Sequence, residues 1–316
     1  MLTSHVDFLV NNSYNSYSYV AYTYCGPRQP CHDLHCQIEG STAYDVLKNF
    51  DLVDVEHIPE IASPSGTTSN DHQLLWISKE DDPKNWHIQI FRSVDSKSVE
   101  AFLKHILTAK EQVNTNRSIQ IAYIQAIRSN QRFIFIENQY FIRSSFVPAN
   151  NLIPIELALK IVSKIRANER SVVYIIIYMW PEGKPYYPHT KKYIKCVIIN
   201  LLNIKHVWRT NLCQTMQMMY NIIAHQLKSV NLKNAHPTDY LNFYCLDNRE
   251  ESHKEESSST ILLYMHSKGM KVDDEYVIMG SANINKQSMA SYRDTKIVMG
   301  ACLPHYTWTK TKKTPI

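Results

Sequence analysis

Two stretches of the chain are apolar almost without interruption, Phe133–Phe141 (FIFIENQYF) and Val172–Trp180 (VVYIIIYMW). Runs of this length, rich in aromatic and β-branched residues, predict strands buried on both faces of a parallel or mixed sheet. Between them the period becomes helical. Pro154 stands where it can open a helix, and Ile155, Ala158, Leu159, Val162 and Ile165 follow at helical spacing. A second amphipathic helix carries Met216, Met219, Tyr220, Ile223, Leu227 and Val230 on one stripe, which is read as core packing. Tyr240–Leu246, Ile261–His266, Tyr276–Gly280 and Thr295–Gly300 read as further strands. This order of strands and helices predicts an α/β fold, a layered sheet with flanking helices.

Polar segments divide the chain. Residues 11–24 are rich in Asn, Ser and Tyr, so 1–25 are expected to be a disordered lead-in, with order beginning near Gly26-Pro27. Residues 58–71 read as a loop, 247–259 as a second polar break, and 309–316 as a polar tail. Residues 194–208 are apolar, but Asn200 and Asn203 interrupt them and they are too short to span a bilayer. A buried or interfacial helix is the alternative there.

Composition narrows the class. The 316 residues are 44% hydrophobic and 20% charged, as in ordinary globular proteins, and suffice for one large or two modest domains. A net charge of +5 suits an anionic partner, a phosphate ester or an acidic membrane surface. No dense lysine-arginine run argues for nucleic acid; the nearest, Lys310 to Lys313, sits in the polar tail. The seven cysteines are irregularly spaced without a C-x-x-C pair, which predicts free thiols and neither a zinc site nor a disulfide framework. No basic region followed by an apolar run opens the chain, so a cytoplasmic location is expected.

The chemistry concentrates in Tyr264–Asn285 (YMHSKGMKVDDEYVIMGSANIN). On a strand His266 and Lys268 share a face. Asp273-Asp274-Glu275 reads as a hairpin turn, and the return strand brings Ser281 and Asn283 back alongside. An imidazole, an ammonium, a hydroxyl and a carboxamide thereby converge, the groups that phosphoryl transfer uses. A lone H-x-K is more often two polar strand residues; the complete H-x-K-x4-D with x6-G-S-x-N argues for function.

These residues resemble the second half of a plant phospholipase D of the H-x-K-x4-D superfamily. The likeness extends through GPRQPCHDLHCQIEGSTAYDVLKNF, DPKNWHIQIFRS, FIFIENQYF, NNLIPIELALKIVSKIRANER, MWPEG, QTMQMMY and DYLNFYCL, and so over most of residues 26–308. It implies the C-terminal half of the phospholipase D catalytic fold and hydrolysis of phosphatidylcholine to phosphatidate and choline. In that family two motifs meet, one histidine forming a phosphohistidine while the other protonates the leaving alcohol. By resemblance His266 is the acid and Lys268 a phosphate-binding cation, with Ser281 and Asn283 as phosphate donors. Asp273 is the motif's aspartate, structural in its turn. Asp294 would orient His266, and Asp33 would orient the first motif's histidine. Glu137 and Gln139 resemble a substrate-side polar pair, or else a structural network. The family also implies calcium, with His35 as a metal or substrate contact, and peripheral attachment to a membrane surface. For His32 and His35 an exposed or core-satisfied role is equally open.

The pattern also breaks. No H-x-K precedes Asp33, and His189-Thr190-Lys191 has Cys196 where an aspartate belongs. An N-terminal calcium-dependent lipid-binding domain and sequence beyond His305-Trp308 are expected and not found. Residues 186–213 have no family features and read as a foreign insertion, a loosely packed excursion. Lys296 stands where the family has glutamate. Two readings follow: an enzyme that takes its missing motif from a second chain, or an inactive, truncated relative that binds phospholipid or a partner, or a gene-model fragment.

Overall fold

The computed structural model describes residues 2–13, 31–51, 86–94, 116–142, 151–178, 211–250, 259–262, 264–289 and 295–302. Its centre is a parallel unit. Strands β5 (Phe133–Asn138), β6 (Val172–Ile177) and β7 (Leu241–Tyr244) pair in that order, all parallel. Helices α3 (Ile153–Arg166) and α4 (Asn211–Ser229) fall between them in the chain, the connections that parallel neighbours require. Pro154 occupies the first turn of α3, where its missing N–H costs nothing. Ile134, Ile136 and Ile175 pack on Leu157 and Ile161 of α3 and Ile223 of α4, all with no exposed surface.

Beyond β5 the sheet turns antiparallel through β11 (Lys268–Val272), β12 (Tyr276–Gly280), β13 (Lys296–Cys302) and β3 (Trp86–Val94). It continues through β1 (Leu2–Ser13) and β2 (Cys31–Glu39) to β10 (Tyr264–Met265), which runs parallel to β2. With β4 (Asn116–Arg117) on β3, the sheet has eleven strands. Only His266 and Ser267 separate β10 from β11, so the pairing from β2 to β11 curls back on itself. Ile88, Met279, Met299 and Ala301 fill the curl, with Leu34, Cys36 and Ile38 of β2 against them. Helix α1 (Ser41–Asp51) follows β2, α2 (Ser118–Ser129) precedes β5, and the short α5 (Lys286–Met289) follows β12. A separate hairpin joins β8 (Asp247–Glu250) to β9 (Ser259–Leu262).

Several expectations are corrected. Residues 2–13 form β1, so the disordered lead-in fails there; residues 14–25 lie outside the described ones. The sequence signal is β-prone residues at Val6, Phe8 and Val10, obscured by the Asn-Ser-Tyr run that follows. The flanks of the polar break at 247–259 pair as β8 and β9. Ile155 and Leu159 are 36% and 49% exposed, because α3 turns Leu157, Ala158 and Ile161 to the sheet instead. Helix α4 begins at Asn211 and buries Leu212 and Cys213, so the last residues of the supposed insertion belong to the core. Residues 186–210, the loop at 58–71 and the tail at 309–316 lie outside the described residues. Cys31, Cys36, Cys245 and Cys302 are free, whereas Cys213 is disulfide-bonded, a pairing that spacing alone cannot reveal.

Candidate active site

The site forms where the chain crosses from β10 to β11. Tyr264 and Met265 pair in parallel with Cys31 and His32, and the His266 N–H donates to the His32 carbonyl at 2.8 Å. His266 therefore comes to stand beside Asp33, the next residue of β2. Its Nδ1 lies 2.8 Å from Asp33 Oδ2, with 47% of the His266 side chain exposed. The ring stacks on Tyr264 at 6.1 Å between centroids and 17° between planes. Asp33, expected to orient a first-motif histidine, thus makes this contact with His266. Asp294, expected in that role, lies outside the described residues.

Ser267 makes the bend. Its carbonyl accepts the Gln139 N–H at 3.1 Å, which ties the crossing to the end of β5. His266 and Lys268 therefore do not share one continuous strand. Lys268 opens β11 directly opposite Asn138, is 7% exposed, and donates through Nζ to the His266 carbonyl. A buried ammonium needs such acceptors.

Asp273 is the hub of the hairpin turn at the far end of β11. Asp273 and Asp274 have φ of 54° and 60°, and the Glu275 N–H donates to the Val272 carbonyl at 3.0 Å. This is a type I′ turn, where aspartate tolerates the left-handed backbone. The Asp273 carboxylate accepts from Asn130 Nδ2 at 3.0 Å and from the N–H groups of Gln131, Arg132 and Phe133 at 2.5, 2.7 and 2.8 Å. It fastens the hairpin to the start of β5, at the opposite end of β11 from His266, and its contacts there are structural.

The substrate-side expectations divide differently. Glu137 Oε2 lies 2.8 Å from His32 Nε2, and both side chains are only 12% exposed. That hydrogen bond, against the opposing effect of burial, holds His32 above its ordinary imidazole range. Gln139 Nε2 donates to the Tyr264 hydroxyl at 2.7 Å. Between them Asn138, passed over in the sequence, is fully buried. Its Oδ1 accepts the Ile284 N–H at 3.0 Å, while its Nδ2 has no partner among the described residues. Asn283 Oδ1 is likewise buried and unpartnered among the described residues. Ser281 donates to the Ile297 carbonyl at 3.2 Å and accepts the Ile297 N–H at 3.1 Å, so its hydroxyl clips β12 to β13. Burial first, then the Asp33 charge, pushes the Cys31 thiol up against the pull of Lys268; it offers no ready thiolate.

His35 is exposed and gathers no ligand set. Among the described residues no three His, Cys, Asp or Glu side chains group to hold a metal ion. His35 also offers nitrogen where calcium takes oxygen. The described residues do not fit calcium, and no step below runs through it. Among the described residues no helix is long and apolar enough to cross a membrane.

Sequence reasoning missed His32 as the partner of Glu137, together with Asn138 and Tyr264. The H-D-x-H run of β2 was the available signal: period two sends His32 and Asp33 to opposite faces, so two different partners are required.

Comparison with known proteins places this geometry. The phospholipase D family model matches residues 2–315. Phospholipase D delta of Arabidopsis thaliana is 45% identical over 350 residues, covering 92% of this chain and 38% of that protein. Phospholipase D beta 1 of the same plant is 43% identical over 92% of this chain and 30% of its own length. Phospholipase D alpha 1 of Zea mays is 37% identical over 90% of this chain and 38% of its own. Among solved structures, phosphatidylserine synthase of Haemophilus influenzae aligns over 70% of this chain and 35% of that one at 13% identity and a TM-score of 0.37. NucT of Helicobacter pylori covers 69% of this chain and 86% of its own at 13% identity and a TM-score of 0.29. The chain thus spans under two fifths of these plant relatives while matching them along nearly all of itself, and it belongs to the phospholipase D family.

Proposed function

We propose that this chain supplies the general-acid half of a phospholipid phosphodiesterase centre and is inactive until a second His–Lys set joins it. The contact between His266 Nδ1 and Asp33 Oδ2, at 2.8 Å, carries the proposal. A carboxylate on Nδ1 fixes the tautomer and steadies the imidazolium, leaving the half-exposed ring to address substrate through Nε2. Among the described residues Nε2 has no partner.

In the reaction a second imidazole forms a bond to phosphorus as the bond to the headgroup alcohol breaks, and His266 Nε2 gives its proton to the departing oxygen. Water then enters: His266 Nε2 takes its proton, the oxygen bonds to phosphorus, and the phosphohistidine bond breaks. Lys268 and Asn283 hold the phosphoryl oxygens against the charge that accumulates. This sequence holds one complete H-x-K-x4-D, so the attacking histidine lies outside it, on a second chain or on further sequence of the same protein.

Two measurements test this. Soluble dibutyryl-phosphatidylcholine should shift the His266 ring resonances on titration, with or without calcium; an unmoved ring at tens of millimolar overturns the site. Choline release from phosphatidylcholine micelles should stay at background for the chain and for His266→Ala alike. Activity that His266→Ala abolishes would refute the need for a different partner and make the site one shared by two copies.

A further inference from the structure

Nine residue pairs join the strand that delivers Asp33 to β1, Asn11 opposite Asp33 among them, so β1 and β2 form one ribbon. On its other edge, among the described residues, two residue pairs join β2 to β10, Tyr264 with Cys31 and Met265 with His32, and the His266 N–H adds one bond to the His32 carbonyl at 2.8 Å. On the other face of β2 the His32 ring reaches across to Glu137 on β5 at 2.8 Å. Glu137 sits opposite Gly269, and a Cβ on Gly269 would come within 2.9 Å of Leu34 Cδ1, so β2 crosses close over the β5–β11 pair here. His32 and Asp33 are adjacent with opposite outlooks, one gripping β5 and the other gripping His266.

We propose that Glu137 and His32 are a positioning pair: their bond sets the height and register of β2 over β5, and thereby holds Asp33 on the Nδ1 edge of His266. This rests on the reading of His266 and Asp33 as the acid and its orienting group, and it assigns Glu137 a task other than touching substrate. The pair suits that task chemically. A carboxylate and an imidazole buried to this degree make a charge-assisted hydrogen bond stronger than a neutral one, at the edge where, among the described residues, two residue pairs tie β2 to β10. Glu137 from β5 and Asp33 beside it in β2 both act on the His32 ring. Glu137 makes the direct contact with its ring.

Nitrogen-15 spectra of the histidine rings of the whole chain provide the test, read at roughly pH 9, where ordinary imidazoles are neutral. In the parent His266 should be held as the Nδ1–H tautomer by Asp33. Glu137→Ala or His32→Leu should let the β1–β2 ribbon shift over β5, and the His266 ring should then turn over to a majority Nε2–H form in a chain that is still folded. Glu137→Gln keeps an acceptor for His32 Nε2–H and should restore the parental tautomer, a rescue that a general loss of stability does not produce. An unchanged His266 tautomer in folded Glu137→Ala overturns the positioning role. Should neither disruptive variant fold, the parent decides: the His32 Nε2–H and His266 Nδ1–H protons should broaden together on warming, and independent loss overturns the proposal. Asp33→Asn separates the two levels of inference. If it leaves the His266 ring unchanged, the orienting pair itself is wrong; if it alters the ring while Glu137→Ala does not, only the positioning pair is wrong.

Discussion

Removing the Asp273 carboxylate should unfold the site without touching its chemistry. That one group accepts four hydrogen bonds, from Asn130 Nδ2 and the N–H groups of Gln131, Arg132 and Phe133, and the residue is 4% exposed. Hydrogen bonds to a charged group contribute about 1.5–3 kcal/mol each. They are not additive, and water can reach the partly exposed donors, so the set is worth about 4 kcal/mol. Asp273→Gly removes the carboxylate but accepts the φ of 54° without strain, so it should cost about that amount. Asp273→Ala adds a left-handed alanine at about 1–2 kcal/mol more. Asp273→Asn keeps one acceptor oxygen and places an amide against the remaining donors, for about 2–3 kcal/mol. Against a total stability of about 5–15 kcal/mol, the alanine variant should be barely folded.

Urea unfolding followed by circular dichroism reads this order directly: parent, then Asn, Gly and Ala. In whatever fraction remains folded, the His266 ring should keep its parental tautomer, because Asp273 sits at the other end of β11. An Asp273→Gly protein within about 1 kcal/mol of the parent would refute the reasoning. So would a stable variant whose His266 resonances move, since that would put the aspartate in the chemistry after all.

Two further outcomes follow from the same geometry. His32 is held above its ordinary range by Glu137, so its contribution to stability is complete below the unfolded value of about 6.5 and fades as pH rises through the folded one. Parent and Glu137→Gln should therefore differ by about 1 kcal/mol in unfolding free energy near pH 5.5–6 and converge toward pH 9; a gap that widens with pH contradicts the assignment. Gly280→Ala should cost about 2–4 kcal/mol, since its Cβ would meet the Ile297 carbonyl and lie 2.6 Å from Val298 Cα, backbone that Ser281 already clips; a melting temperature unchanged within 2–3 °C would show that β13 yields.

What the sequence made legible has one physical character: a pattern within a continuous segment. Strands β5 and β6 follow from unbroken apolar runs, helix α3 from spacing near four with a proline in its first turn, and the hairpin from a pair of aspartates. Pairings between distant segments were not legible. Asp33 and His266 stand 233 positions apart, and only the parallel pairing of β10 with β2 makes them neighbours. Without that register the motif resemblance set the carboxylate beside a first-motif histidine, whereas the structure sets it beside His266. Glu137, Asn138 and Gln139 show the same limit. Alternation separates their faces, but not which face meets His32, Lys268 or Tyr264.

The spacing of H-x-K-x4-D then has a structural reason that the linear motif hides. His266 directly follows a strand paired with β2 at the rim of the curled half, whereas Lys268 begins a strand paired with β5 of the parallel half. The motif's first two functional groups therefore belong to different packing units, joined at Ser267, which has no exposed surface. Asp273 closes the other end of β11 and locks its register, so that Lys268 falls opposite Asn138. Four residues between lysine and aspartate are what let β11 run from that locked turn to the bend with Lys268, Met270 and Val272 on one face. Met270 and Val272 on that face are buried in the main core, which fixes the direction in which Lys268 leaves the backbone. One residue more or fewer would invert that parity and send the ammonium to the face occupied by Gly269, where Leu34 leaves no room. The aspartate thus serves the chemistry from about 17 Å away, by fixing which face of a five-residue strand the lysine occupies.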